Sequence, residues 1–267
     1  MLIIGERINA TRKDIAGAIT RKDAAFIQNE AKKQASAGAD FLDVNSGTKP
    51  GTEKSNMEWL VTTIRAVTTL PFCIDSANPE AIEAGLKLHG PGKPLVNSVT
   101  DEPDRIEKVL PLVKQHHALV VGLLIDPAGV PDTVEKRLAI AGSLVPKITG
   151  AGIPFSDIYI DPCVFPVSTD TKNGQTLIES IQGIRKLFPG IKFAVGLSNI
   201  SYGLPKRSFI NQAFLILLLS AGLDAALIDP LDTGMMASLK SAEVLLNRDE
   251  YCLNYIGFVR GKQEQGE

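Results

Sequence analysis

The sequence predicts a closed parallel (β/α)₈ barrel, and three observations carry that prediction. Short apolar runs rich in β-branched residues recur eight times along the 267-residue chain. Each is followed by turn residues and a helical pattern, and the runs begin at intervals of about 30 residues, the length of one strand-plus-helix unit. The runs are continuously apolar rather than alternating, which means strands buried on both faces, as in a parallel sheet wrapped by helices. The competing architecture, a doubly wound open sheet, calls for a GxGxxG turn after the first strand. Here that position reads Gly5-Glu6-Arg7-Ile8-Asn9-Ala10, and no P-loop pattern occurs.

The first run covers residues 2–4. A helix over 24–37 follows, with Ala24, Ile27, Ala31 and Ala35 on its apolar face and Gly38 as its stop. The second run, 41–44, leads to a helix over 55–67 with Met57, Leu60, Val61 and Ile64 on one side. After the third run, 72–74, Pro79 falls in the first turn of a helix, where its missing N–H is not needed. Runs at 95–96, 119–125, 158–160, 193–197 and 225–228 alternate with helices over 104–116, 132–148, 176–188, 208–220 and 235–246. No linker or change of composition interrupts the series, so residues 1–267 are read as one barrel domain with a frayed polar tail from about 258.

Composition narrows the function. With 44% hydrophobic and 22% charged residues the chain is expected to fold around a large core. A net charge of −2 gives no electrostatic footprint for nucleic acid. The longest apolar stretch, around 213–221, is broken by Ser220 and Gly222 and falls short of the ~20 residues of a membrane span. The first residues carry too short an apolar run for a signal peptide, so a cytoplasmic location is expected. Cys73, Cys163 and Cys252 are too scattered for a disulfide framework or a CxxC site and read as buried free thiols.

In such barrels the active site lies at the C-terminal ends of the strands. Those ends carry Glu6 and Asn9, Asp43 and Asn45, Asp75, Asn97, Asp126, Asp161, Ser198 and Asn199, and Asp229. Turn and cap preferences account for any one of them equally well. As a ring they abut apolar runs directly, and buried carboxylates and amides need partners, so a ligand rich in N–H groups would satisfy them. His89, His116 and His117 fall near helix C-termini, away from the rim, which removes a zinc hydrolase. Ser198 has no histidine base, and no lysine ends a strand, so neither serine-hydrolase nor Schiff-base chemistry fits. A Mg²⁺ site built from Asp43, Asp75 and Asp161 is the less favoured alternative.

The segments GERIN, DVN (Asp43 to Asn45), IDS (Ile74 to Ser76), VNS (Val96 to Ser98), IDP (Ile160 to Pro162) and GLSN (Gly196 to Asn199) stand in order at six strand ends. In this the chain resembles the pterin-binding methyltransferases: the methyltetrahydrofolate–corrinoid protein methyltransferases and the folate module of cobalamin-dependent methionine synthase. The resemblance runs from Met1 to about Tyr255. It implies a pterin-binding barrel that moves a methyl group between tetrahydrofolate and the cobalt of a corrinoid (cobalamin) carried by a separate protein, with no metal bound by this chain. Asp75, Asn97 and Asp161 would hold the pterin ring, and Asn199 would lie beside the nitrogen that carries the methyl group. Gly196 and Ser198 would let the strand-seven backbone approach the ring, Arg207 would hold that loop or the ligand, and Glu6, Asn9 and Asp43 would complete the site. Asn199 and Asp75 are the implied catalytic residues, Asp75 as a relay for a proton. Tyr202 stands where close relatives carry glutamine. A homodimer is also implied, with the apolar run Phe214 to Leu219 as weak support. The alternatives are a dihydropteroate synthase-like enzyme, which would need a lysine near the strand-seven motif, and a non-catalytic folate-binding barrel.

Overall fold

The computed structural model describes residues 1–47 and 51–265. The first half of the chain comprises β1 (Leu2–Gly5), α1 (Lys13–Arg21), α2 (Ala24–Ser36), β2 (Phe41–Asn45), α3 (Glu53–Arg65), β3 (Phe72–Asp75), α4 (Pro79–Leu88), β4 (Leu95–Val99) and α5 (Pro103–Gln115). The second comprises β5 (Leu119–Leu123), α6 (Val134–Gly150), β6 (Ile158–Asp161), α7 (Asn173–Leu187), β7 (Lys192–Gly196), α8 (Arg207–Ala221), β8 (Ala225–Ile228), α9 (Thr233–Leu245) and α10 (Leu253–Gln265). The strands follow one another around a closed barrel in chain order. β1 pairs in parallel with β8, Leu2 opposite Ala225 and Gly5 opposite Ile228. The expected fold is therefore the observed one.

Two layers of apolar packing hold it. One cluster takes a residue from every strand, Ile4, Phe41, Cys73, Leu95, Val121, Tyr159, Ala194 and Ala225, and plugs the barrel interior. The other joins the outward-facing strand residues, such as Ile3, Leu42, Ile74 and Val96, to the inner faces of the helices. Successive strand residues point to opposite faces. Two positions beyond Phe41, Cys73, Leu95, Tyr159 and Ala194 therefore come Asp43, Asp75, Asn97, Asp161 and Gly196, all turned into the barrel mouth.

Several elements depart from the expectation. α1 was not foreseen, although Ile15, Ala18 and Ile19 give it a buried face. α2 ends before Gly38 as expected, but its buried residues are Ile27, Glu30, Ala31 and Gln34. Two polar side chains take the place of Ala24 and Ala35 because they reach the end of β1. The fifth strand stops at Leu123, short of Ile125. The polar end of the chain is helical from Leu253 to Gln265, and its last two residues lie outside the described ones. Cys73 and Cys163 are buried free thiols, while Cys252 is only partly covered. Among the described residues, no helix is long and apolar enough to cross a membrane.

Candidate functional site

The C-terminal mouth of the barrel opens into a cavity of about 560 Å³ whose wall includes Glu6, Asn9, Asp43, Asp75, Asn97, Asp161, Gly196, Ser198, Asn199 and Arg207. These are the ten residues singled out from the sequence, brought together from β1, β2, β3, β4, β6, β7 and the start of α8. Thr11, Arg12, Ser98, Leu123, Tyr202 and Leu227 complete the lining. Arg12 carried no sequence signal, since it precedes a helix that the apolar pattern did not reveal.

Not every strand end contributes. Asp126 faces a separate hollow of about 350 Å³ beside α6, lined also by Asp101 and Lys136. Its carboxylate accepts the Ala128 N–H at 2.9 Å and shapes its own turn. Asp229 accepts Arg7 Nη1 at 2.6 Å, and Arg7 Nε donates to Glu30 Oε2 at 2.7 Å. The Arg7 N–H reaches Gln34 Oε1 at 3.1 Å. This cluster explains the polar inner face of α2 and ties the ends of β1 and β8 together. Asn45 donates from Nδ2 to Asp75 Oδ2 at 2.9 Å, aiming that carboxylate.

Helix capping, the alternative account of the rim, does not describe these residues. Among the described residues, the N-cap side chains that accept a hydrogen bond from the helix they open include Asp23, Asn78, Thr133 and Asp232, none of them in the cavity. Asp161 accepts the Cys163 N–H at 2.8 Å within its own loop. Asn199 sits exposed in a 3₁₀ turn, Leu197–Ser201. Arg207 pins that turn, donating from Nε to Ser201 Oγ at 2.9 Å and from Nη2 to the Ser198 carbonyl. A Cβ at position 196 would lie 3.3 Å from Asn199 Nδ2, so glycine there leaves the amide room.

The mouth is electrostatically unusual. Asp43 is fully buried, and burial with the neighbouring Asp75 carboxylate pushes it well above the ordinary carboxylate range, against hydrogen bonds from Cys73 and Asn9. Burial also raises Asp75, against the amide of Asn45. Burial and then Asp229 raise Glu6 to about 7, opposed by the Ser198 hydroxyl and by Arg12 and Arg207. Burial lifts Asp161 to about 6, against the Cys163 N–H, Arg137 and the Gly196 N–H. A group with its pKa near neutrality both gives and takes protons at working pH. Among the described residues, no three His, Cys, Asp or Glu side chains are grouped to hold a metal ion. What the mouth offers is an edge of carboxylate and amide acceptors, complementary to a heterocycle that presents several N–H donors.

Comparison with known proteins agrees with that chemistry. The family pattern described as "pterin binding enzyme" matches residues 5–229. The chain is 37% identical over 266 residues to a methylcorrinoid:tetrahydrofolate methyltransferase of Eubacterium limosum, covering 98% of this chain and 97% of that protein. It is 35% identical over 241 residues to the methionine synthase of Mycobacterium tuberculosis (strain ATCC 25618 / H37Rv), of which it spans 20%. Among solved structures, the dihydropteroate synthase of Xanthomonas albilineans in complex with 7,8-dihydropteroate superposes with a TM-score of 0.68 over 92% of each chain, at 18% identity. That last likeness is one of fold.

Proposed function

The chain belongs to the pterin-binding enzyme family, and from that premise we propose that it moves a methyl group between tetrahydrofolate and the cobalt of a corrinoid carried by a separate protein. The observation that carries the reading is the end-to-end match to a methylcorrinoid:tetrahydrofolate methyltransferase. The relative's name sets the flow of methyl toward the folate; the same residues serve the step in either direction.

In this reading Asp75, Asn97 and Asp161 accept hydrogen bonds from the pterin's N–H edge, and Asn45 keeps Asp75 aimed at it. The Asn199 amide stands beside the reacting nitrogen. Its donor strengthens the hydrogen bond to that nitrogen as the carbon–nitrogen bond breaks, without itself titrating. Stabilisation confined to the transition state raises turnover rather than affinity. The proton on the nitrogen is exchanged with the acid-rich mouth, with Asp75 as the relay. The remainder of the rate comes from aligning cobalt, carbon and nitrogen for in-line displacement. The chain itself binds no metal in this mechanism, and we place the reaction in the cytoplasm.

Incubation with cob(I)alamin and methyltetrahydrofolate, followed by visible spectroscopy, tests the assignment. The expected result is conversion to methylcobalamin at a rate proportional to enzyme. Tight folate binding with no methyl transfer would instead identify a non-catalytic folate barrel. We further propose a homodimer, supported by α8: Ile216 and Leu217 are 41% and 54% exposed beside the buried Phe214, Leu215, Leu218 and Leu219. Sedimentation as a single chain at micromolar concentration would exclude it.

A further inference from the structure

Arg137 lies on α6, outside the cavity and outside every motif at the strand ends. It is only 1% exposed, and it is the largest of the fully buried side chains. Its Nε donates to the Pro162 carbonyl at 2.6 Å, and its Nη2 donates to the Cys163 carbonyl at 3.1 Å. The guanidinium carbon lies 5.4 Å from the centre of the Phe165 ring. Among the described residues no carboxylate forms an ion pair with it, and Nη1 is buried without a partner. Burying a cation without an ion-pair partner is costly. Packing alone therefore gives no account of an arginine here.

The two carbonyls it grips are those of the residues that immediately follow Asp161. The loop they form is held in an uncommon shape, with Cys163 at φ 65, and in that shape the Cys163 N–H points back to Asp161 Oδ1 at 2.8 Å. We propose that Arg137 is a positioning residue for the site: it fixes the β6 loop through two carbonyls so that Asp161 is held in one orientation, and its charge keeps that buried carboxyl in the ionised, hydrogen-bond-accepting form.

The surroundings of Asp161 leave few other groups for the second task. Burial pushes its pKa up, and among the described residues Arg137 is the one cation opposing that rise; the other opposing groups are the N–H groups of Cys163 and of Gly196 on β7. The Cys163 thiol is itself raised by burial and by Asp161, so it is neutral and adds no charge. β5 presents Leu123 opposite Asp161, and Asp75 from β3 lines the same cavity. A protonated Asp161 loses part of its capacity to accept from a ligand's N–H edge. Arg137 thus sets the lower pH limit of ligand binding without touching ligand.

The folate arm of the test rests on the proposed function, and the titration arm does not. Carbon-13 NMR of the carboxyl groups, with the Asp161 resonance assigned by its loss in Asp161→Asn, gives the titration midpoint in the ligand-free protein. In Arg137→Met and Arg137→Gln the midpoint is expected to rise from near 6 by about 1 on the pH scale, and in Arg137→Lys to return toward the wild-type value. Arg137→Gln keeps a donor for one carbonyl, so it serves if Arg137→Met does not fold. Calorimetric affinity for methyltetrahydrofolate across pH should lose its acid limb at the same midpoints. An Asp161 midpoint unchanged in Arg137→Gln would overturn the proposal. Failure of the wild-type protein to bind the folate at any pH would count against the proposed function and leave the NMR result to judge Arg137.

Discussion

Asp75, Asp126 and Asp161 look alike in the sequence, each following a β-branched apolar run, and the structure separates them. Two lie in the cavity wall and one faces another hollow. Asp75→Ala and Asp161→Ala should each weaken folate binding by roughly 1–3 kcal/mol, since a buried donor on the ligand is left unpaired. Asp126→Ala should leave binding near wild type. Calorimetric titration of all three measures the contrast, and equal losses would refute the assignment of the site. Asn199 makes the sharper case. Asn199→Ala should slow single-turnover methyl transfer by about 10²-fold or more with a much smaller loss of affinity. In Asn199→Asp the deficit should shrink as pH falls, because a carboxyl donates a hydrogen bond only when protonated. A wild-type rate in Asn199→Ala would remove the amide from the mechanism. Eight of the ten singled-out cavity residues were legible because they end or closely follow an apolar run, while Gly196 and Arg207 came only with the family resemblance. Arg137 was not: a lone arginine in an amphipathic helix has the pattern of a solvated side chain, and only the fold carries it to the β6 loop.

Elements were legible in proportion to how much their own residues decide. Each of the eight strands is built around a short apolar run, so burial on two faces wrote them into the sequence. α1 escaped because Arg12, its N-cap residue, makes no side-chain cap and the helix is only nine residues long. The inner face of α2 differs from its apolar pattern because Glu30 and Gln34 are buried by Arg7, in the loop after β1, which no periodicity reveals. The fit of a helix onto its strand depends on particular atoms. On α4, a Cβ at Gly85 would lie 2.8 Å from Ile74 Cγ2 and 3.2 Å from Met57 Cγ. Gly85→Ala should therefore lift α4 from β3 and cost about 1–3 kcal/mol, helix propensity notwithstanding. Urea unfolding gives the value, and a stabilised variant would show that α4 shifts freely on the sheet.

At the scale of the whole molecule, the mouth carries carboxyl groups whose folded pKa values exceed their unfolded ones: Glu6 about 7 against 4.5, and Asp161 about 6 against 3.8. The folded state binds protons more tightly, so their contribution to stability is full below the unfolded pKa and is lost as pH rises through the folded one. His89 and His116 are lowered by burial and neighbouring cations and act in the opposite sense, withdrawing stability as pH falls below 6.5. The Tm of the ligand-free protein should accordingly be higher at pH 6 than at pH 8, with roughly 2–4 °C for each kcal/mol. The double variant Glu6→Gln, Asp161→Asn should flatten that difference. A Tm that climbs steadily from pH 6 to pH 8 would show that the mouth does not govern the pH response. The pairing of β1 with β8 has a consequence of another kind, in time. β1 is made before every other strand of the barrel, but its hydrogen-bonding edge stays open until residues 225–228 have emerged. Long-range closure of this sort is slow and leaves a strand edge exposed meanwhile. Glu6 and Ser198, hydrogen-bonded across the finished mouth, come together only with that last barrel strand, so a nascent chain has nowhere to seat a ligand until β8 has been made.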